Sequence, residues 1–141
     1  MPGGAGAVGY LAFGLVKAAG YTVVARSLKR MSGAEGPAAP KVLSVGLART
    51  GVGIAVGLAY GWLWLTFGPE SDLSPLIYYA LLFPIRLAEW GVVLWFFFGR
   101  NTTPPEGFYW KGTLLGTAAS YGLDAIGVVA AFVVPGGFWI C

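Results

Sequence analysis

The chain has 141 residues, of which 57% are apolar and only 11% are charged. A soluble domain carries about 25% charged residues, so this composition excludes an ordinary soluble domain and predicts one that is embedded in a membrane. The net charge of +3 comes from basic residues in short segments between apolar runs, which excludes nucleic acid as a partner. Because the chain has no histidine and a single cysteine, Cys141, we expect no metal site and no cofactor.

Four apolar stretches are long enough to cross a hydrocarbon core, which takes about 20 helical residues. They lie near residues 7–24, 42–67, 76–98 and 112–139. We therefore predict an all-α fold, an integral membrane four-helix bundle. The whole chain, residues 1–141, is expected to form a single transmembrane domain.

The connections between these stretches predict their orientation. Residues 26–41 and 100–111 form segments rich in Lys and Arg, whereas the only charged residues in segment 68–75 are acidic. Cytoplasmic loops collect Lys and Arg, so we predict that the two basic loops are cytoplasmic and that both termini are external. We expect the protein to reside in the bacterial inner (cytoplasmic) membrane, in contact with membrane lipid.

Small residues recur every four positions in two of the predicted spans. The second span carries Gly53, Gly57 and Gly61, and the fourth carries Gly112 and Gly116. Rows of this kind let helices approach closely in lipid. We therefore predict that both rows pack against other helices, and that one of them joins copies of the chain in a homo-oligomer.

Five ionisable residues lie inside the spans: Lys17, Arg49, Arg86, Glu89 and Asp124. At about 1.5 Å per residue from the predicted cytoplasmic loops, all five lie roughly 12–21 Å deep, in one layer near the midplane. Ionisable groups at that depth are costly unless they are paired or hydrated, so they usually face a bundle interior. We predict that they converge on a common centre, with three cations against two acids.

Such a centre indicates recognition of a negatively charged ligand. Arginines in a site of low dielectric bind phosphate or carboxylate through paired, charge-assisted hydrogen bonds. The leading hypothesis is a site for an anionic amphiphile or a small anion, bound for transport or as a substrate. The expected ligand-binding residues are Lys17, Arg49, Arg86, Glu89, Trp90, Tyr121 and Asp124.

Other interpretations stay open at this point. The charges could pair internally in a structural or assembly subunit of a membrane complex, and Lys17 and Arg49 could extend to the cytoplasmic surface instead. A lipid-modifying enzyme could use Glu89 or Asp124 as a general base, and these two are the candidate catalytic residues. Proton-coupled transport through the same two acids is a further alternative.

Overall fold

A computed structural model describes residues 7–36, 39–69, 74–100 and 102–133 of the chain. The described residues are helical apart from their connections and contain no strand. The elements are α1 (Ala7–Ser32), α2 (Val42–Phe67), α3 (Ser74–Leu94), a π-helical segment that continues α3 (Trp95–Gly99), and α4 (Phe108–Val133).

Three of these helices are long and apolar enough to cross a membrane. The qualifying segments are Leu11–Ser32, Val42–Phe67 and Leu76–Gly99. Large apolar side chains such as those of Leu15 and Leu65 are exposed on their outer faces, and an apolar surface of this extent suits hydrocarbon rather than water. The helices therefore agree with the predicted membrane location.

Each helix packs against two neighbours. α1 lies against α2 and α4, and α3 lies against the same two helices. The apolar core occupies one end of this arrangement, where α1 ends, α2 begins, α3 ends and α4 begins. Its buried residues are Tyr21, Ala25, Leu28, Val45, Trp90, Val93, Leu94, Phe98 and Phe108.

The first connection is shorter than the sequence predicted. We expected a loop over residues 26–41, but α1 continues through Ser32, so three basic residues of the expected loop lie on its last turns. Residues 26–32, which precede Gly33, contain no glycine or proline that would interrupt the helix. Gly33 then adopts a left-handed conformation with φ 63°, which glycine reaches without steric cost and which commonly ends helices.

The fourth helix also begins earlier than predicted, at Phe108 rather than near residue 112. Gly107 has φ 76° and turns the chain, and the Lys111 backbone N–H donates to the Gly107 carbonyl at 3.0 Å. The described part of α4 ends at Val133. The predicted end of this span, near residue 139, lies outside the described residues.

Close packing between α1 and α2 depends on Gly46, which lies outside the predicted glycine rows. A methyl group at this position would lie 2.8 Å from the backbone nitrogen and 3.0 Å from the Cα of Thr22. By contrast, no described heavy atom lies within 4 Å of the corresponding position at Gly61. On α4, methyl groups at Gly112 and Gly116 would meet side chains of the core.

Gly46→Ala should destabilise the protein, because its methyl group would press on the backbone of α1 as well as on the Thr22 hydroxyl. We expect a loss of about 1–3 kcal/mol, the usual cost of overpacking. Gly51→Ala is the matched control, since it lies on the same helix with no described atom within 4 Å, and alanine favours a helix. Thermal unfolding in a mild detergent measures both, and equal midpoints would contradict the proposed close contact.

Candidate functional site

The five predicted ionisable residues lie together inside the bundle, and we refer to them as the ionic layer. α1 contributes Lys17, α2 contributes Arg49, α3 contributes Arg86 and Glu89, and α4 contributes Asp124. All are buried, with at most 7% of each residue exposed. Lys17 and Arg49 therefore face the interior and do not extend to the surface.

Glu89 joins the two arginines through a single oxygen. Its Oε2 atom lies 2.6 Å from Arg49 Nη2 and 3.6 Å from Arg86 Nη1. Arg86 and Glu89 are neighbours on α3, three residues apart, whereas Arg49 reaches across from α2. The shared oxygen thus ties α2 to α3 and lies between two positive charges.

Asp124 joins the remaining members of the ionic layer. Its Oδ1 atom lies 2.7 Å from Lys17 Nζ, and its Oδ2 atom accepts a hydrogen bond from Arg86 Nη2 at 3.0 Å. Arg86 therefore contacts both acids, through different nitrogen atoms. The five side chains form one connected chain of ion pairs that includes all four helices.

Aromatic and hydroxyl groups surround the Arg49 end of the layer. The guanidinium carbon of Arg49 lies 5.1 Å from the ring centre of Tyr21 and 5.2 Å from that of Trp90, both within range of a cation–π attraction. Trp90 Nε1 donates to Ser120 Oγ at 3.0 Å, and this hydroxyl donates to the Gly116 carbonyl at 3.0 Å. These contacts fix the indole ring that covers the arginine.

Ser120 is a member of the site that sequence reasoning did not select. Its hydroxyl also lies 3.5 Å from Arg49 Nη2 and is fully buried. A signal was present, because Ser120 follows Gly116 and precedes Asp124 on one row with a spacing of four residues. Thr117 is buried nearby on the same helix, and its hydroxyl has no hydrogen-bond partner among the described residues.

Arg49 retains hydrogen-bonding capacity that the described residues do not use. Its Nε and Nη1 atoms are buried and have no hydrogen-bond partner within the described part of the chain. Nη1 lies beside Gly53: a methyl group on Gly53 would be 2.8 Å from Arg49 Nη1 and 3.8 Å from Arg86 Nη1. Gly53, which we predicted to serve helix packing, thus lies beside the guanidinium group of Arg49, with a nitrogen of Arg86 slightly farther away.

The charge of the layer is unbalanced. Three cations face two carboxylates, which leaves one surplus positive charge among buried side chains. An uncompensated charge in a low-dielectric interior costs several kcal/mol. An added negative charge would lower this cost, and two nitrogen atoms of Arg49 have no hydrogen-bond partner among the described residues.

An open groove reaches the layer from the end opposite to the apolar core. It has a volume of about 390 Å³, and its lining includes Tyr79, Tyr121 and Asp124. The Tyr121 hydroxyl donates to the Tyr79 backbone carbonyl at 2.8 Å, which fixes Tyr121 across the gap between α3 and α4. Of the two aromatic residues predicted to bind ligand, Tyr121 thus lines an approach and Trp90 covers Arg49.

Comparison with protein families, with curated proteins and with solved structures finds no match to this chain. The function is therefore inferred from the ionic layer and its surroundings.

Glu89→Gln should be strongly destabilising, because it leaves Arg49 and Arg86 facing each other without the shared negative charge. Breaking a buried ion pair by removing one partner costs about 3–5 kcal/mol. Glu106→Gln removes an exposed acid of the connection before α4 and should change stability by less than about 0.5 kcal/mol. Chemical unfolding in detergent compares the two variants, and a similarly small effect of both would mean that Glu89 does not hold the arginines together.

Proposed function

We propose that this chain is a four-span membrane protein, with both termini external, that binds an anionic group in the ionic layer. The ligand class is the phosphate or carboxylate of an amphiphile, or a small anion, bound for transport or as a substrate. α4 is proposed as the fourth span, because its 26 residues reach about 39 Å at 1.5 Å per residue. It also supplies Asp124 to the layer.

One observation carries this proposal: a buried layer with a surplus positive charge, in which Arg49 has two nitrogen atoms without a partner among the described residues. The Nη1 atoms of Arg49 and Arg86 both lie near Gly53, at 2.8 Å and 3.8 Å from the position of an added methyl group. Two guanidinium groups that converge on one space are suited to phosphate or carboxylate, since each offers planar, charge-assisted donors. Binding an anion there would balance the charge.

The groove beside Tyr121 supports an amphiphile more than a purely soluble anion. It reaches Asp124 from between α3 and α4, and its lining includes Ala125 and Val129. An acyl or prenyl tail could lie along this apolar part while its charged headgroup reaches the layer. The tail would remain in contact with lipid, so that no apolar surface would have to be exposed to water.

Gly53→Ala should weaken anion binding without changing any charge, because the added methyl group would lie 2.8 Å from Arg49 Nη1. We expect affinity for dodecyl phosphate, titrated into the protein in dodecyl maltoside, to fall at least about tenfold, which corresponds to roughly 1.4 kcal/mol. Gly51→Ala on the same helix is the matched control and should bind as the unaltered protein does. Equal affinities in the two variants would show that the position beside Gly53 is not part of the proposed site.

Lys17→Met tests the charge balance itself. This substitution keeps an unbranched chain of similar length and leaves two cations against two acids, so the layer no longer needs an added anion. We expect stability without ligand to be retained, and the stabilisation by dodecyl phosphate to be largely lost. If instead the variant lost about 3–5 kcal/mol of stability and responded to dodecyl phosphate as before, Lys17 would be serving only its ion pair with Asp124.

A structural role is the second candidate, and a specific contact favours it. Arg86 reaches both acids, so that the ion pairs alone join all four helices and could fix their register in an assembly subunit. The open surface at Gly61 would then suit contact with another helix, including one from a second copy. Purification discriminates between the two roles, since a stable, monodisperse particle of this chain alone argues against an obligatory partner subunit.

A further inference from the structure

A second cavity, lined by charged residues, lies at the other end of the bundle, where α1 ends and α2 begins. It has a volume of about 380 Å³ and is lined by residues that include Arg26, Lys29, Arg30, Glu35 and Val42. We refer to these five residues as the basic pocket. Arg26 follows Lys17 by nine residues on the same helix, about 14 Å along its axis, so the basic pocket is separate from the ionic layer.

The charges of the basic pocket are not neutralised by ion pairs among the described residues. Three cations face one acid, and none of the three forms an ion pair with any residue that the structure describes. Glu35 lines the same cavity but remains farther than ion-pair distance from them. The basic pocket thus presents several unused donors toward one space.

The start of α2 adds to the positive potential of the basic pocket. Lys41 precedes the helix and makes no side-chain hydrogen bond to its first turn, and Val42, the first helical residue, lines the basic pocket. The N-terminus of a helix carries a partial positive charge and unsatisfied N–H groups. The helix end therefore reinforces the attraction that the three basic side chains already exert on an anion.

Apolar surface continues directly from the basic pocket along both helices. Val23 lies on the face of α1 that also carries Arg26 and Arg30, because these residues are spaced three and four apart, and it is exposed. On α2, Leu43 and Leu47 are likewise exposed. The pocket is thus located at a border between basic and lipid-facing surface, which matches a molecule with a phosphate group and hydrocarbon tails.

We propose that the basic pocket binds a phosphate group at the end of the bundle that we predict to be cytoplasmic. Basic pockets between membrane helices on that side bind the headgroups of anionic lipids. The phosphate can be supplied by an anionic phospholipid of the adjoining leaflet or by free phosphate in solution, and the recognition chemistry is the same. This site does not depend on the anion proposed for the ionic layer.

The test measures binding to the full chain in neutral detergent by native mass spectrometry. Phosphatidylglycerol, phosphatidylcholine and inorganic phosphate are added separately. The pocket variant is Arg26→Gln/Arg30→Gln, and the matched control is Arg100→Gln/Lys111→Gln, which removes the same charge from exposed residues at the same predicted side of the membrane. All four side chains are exposed, so both variants should fold.

We expect phosphatidylglycerol to bind the unaltered chain more tightly than phosphatidylcholine, and the pocket variant to lose at least about tenfold in affinity, the usual loss when one hydrogen bond to a charged group is removed. The control variant should stay within about twofold of the unaltered chain. Phosphatidylglycerol binding alone identifies a lipid headgroup as the ligand, whereas inorganic phosphate binding with the same sensitivity identifies a soluble source. Equal losses in the two variants, or no binding of either phosphate compound, would overturn the proposal.

Discussion

The arrangement of this bundle depends on one carboxylate oxygen, Glu89 Oε2, which lies between Arg49 and Arg86. Two unit charges 4 Å apart interact by about 4 kcal/mol at an effective dielectric constant near 20. Without Glu89, the two arginines would repel each other inside the protein. With it, the contact becomes attractive and joins α2 to α3, two helices that pack less extensively against each other than α1 and α2 do.

The two ends of the ionic layer have different surroundings. Toward the predicted cytoplasmic side, Tyr21 and Trp90 cover Arg49, and the apolar core fills the bundle beyond them. Toward the other side, the groove beside Tyr121 reaches Asp124. A charged ligand that entered the layer by the proposed route would meet a closed end behind Arg49, and passage beyond it would require Trp90 to move.

The sequence allowed the membership of the layer to be predicted, because the cost of an unpaired charge in hydrocarbon leaves few places for Lys17, Arg49 and Asp124. It did not predict which acid would contact which cation. That pairing depends on the rotation of each helix about its axis, and small differences in rotation decide whether Arg86 reaches one acid or both. The position of Arg49 beside Gly53 was not predicted for the same reason, since a glycine row predicts close approach without saying whether a helix or a guanidinium group approaches.

The ends of the helices were the least predictable part of the fold. α1 passes through the expected loop as far as Ser32 because its basic residues are good helix formers, and charge alone did not distinguish a helix end from a connection. The composition of the aromatic run did not predict the π-helical segment Trp95–Gly99. Gly46, by contrast, is as small as the predicted packing residues, but it does not belong to a row of glycines spaced four residues apart.

The central claim, that an anionic group binds Arg49 beside Gly53, is tested most directly by an experimental density map of the protein. The chain would be purified without added anions and reconstituted in phosphatidylcholine that contains phosphatidic acid with a brominated tail. We predict density for a phosphate group in contact with Arg49 Nη1 beside Gly53, with bromine signal in the groove that Tyr121 lines. A map in which that space holds only protein atoms, with bromine signal confined to the outer surface, would contradict the claim.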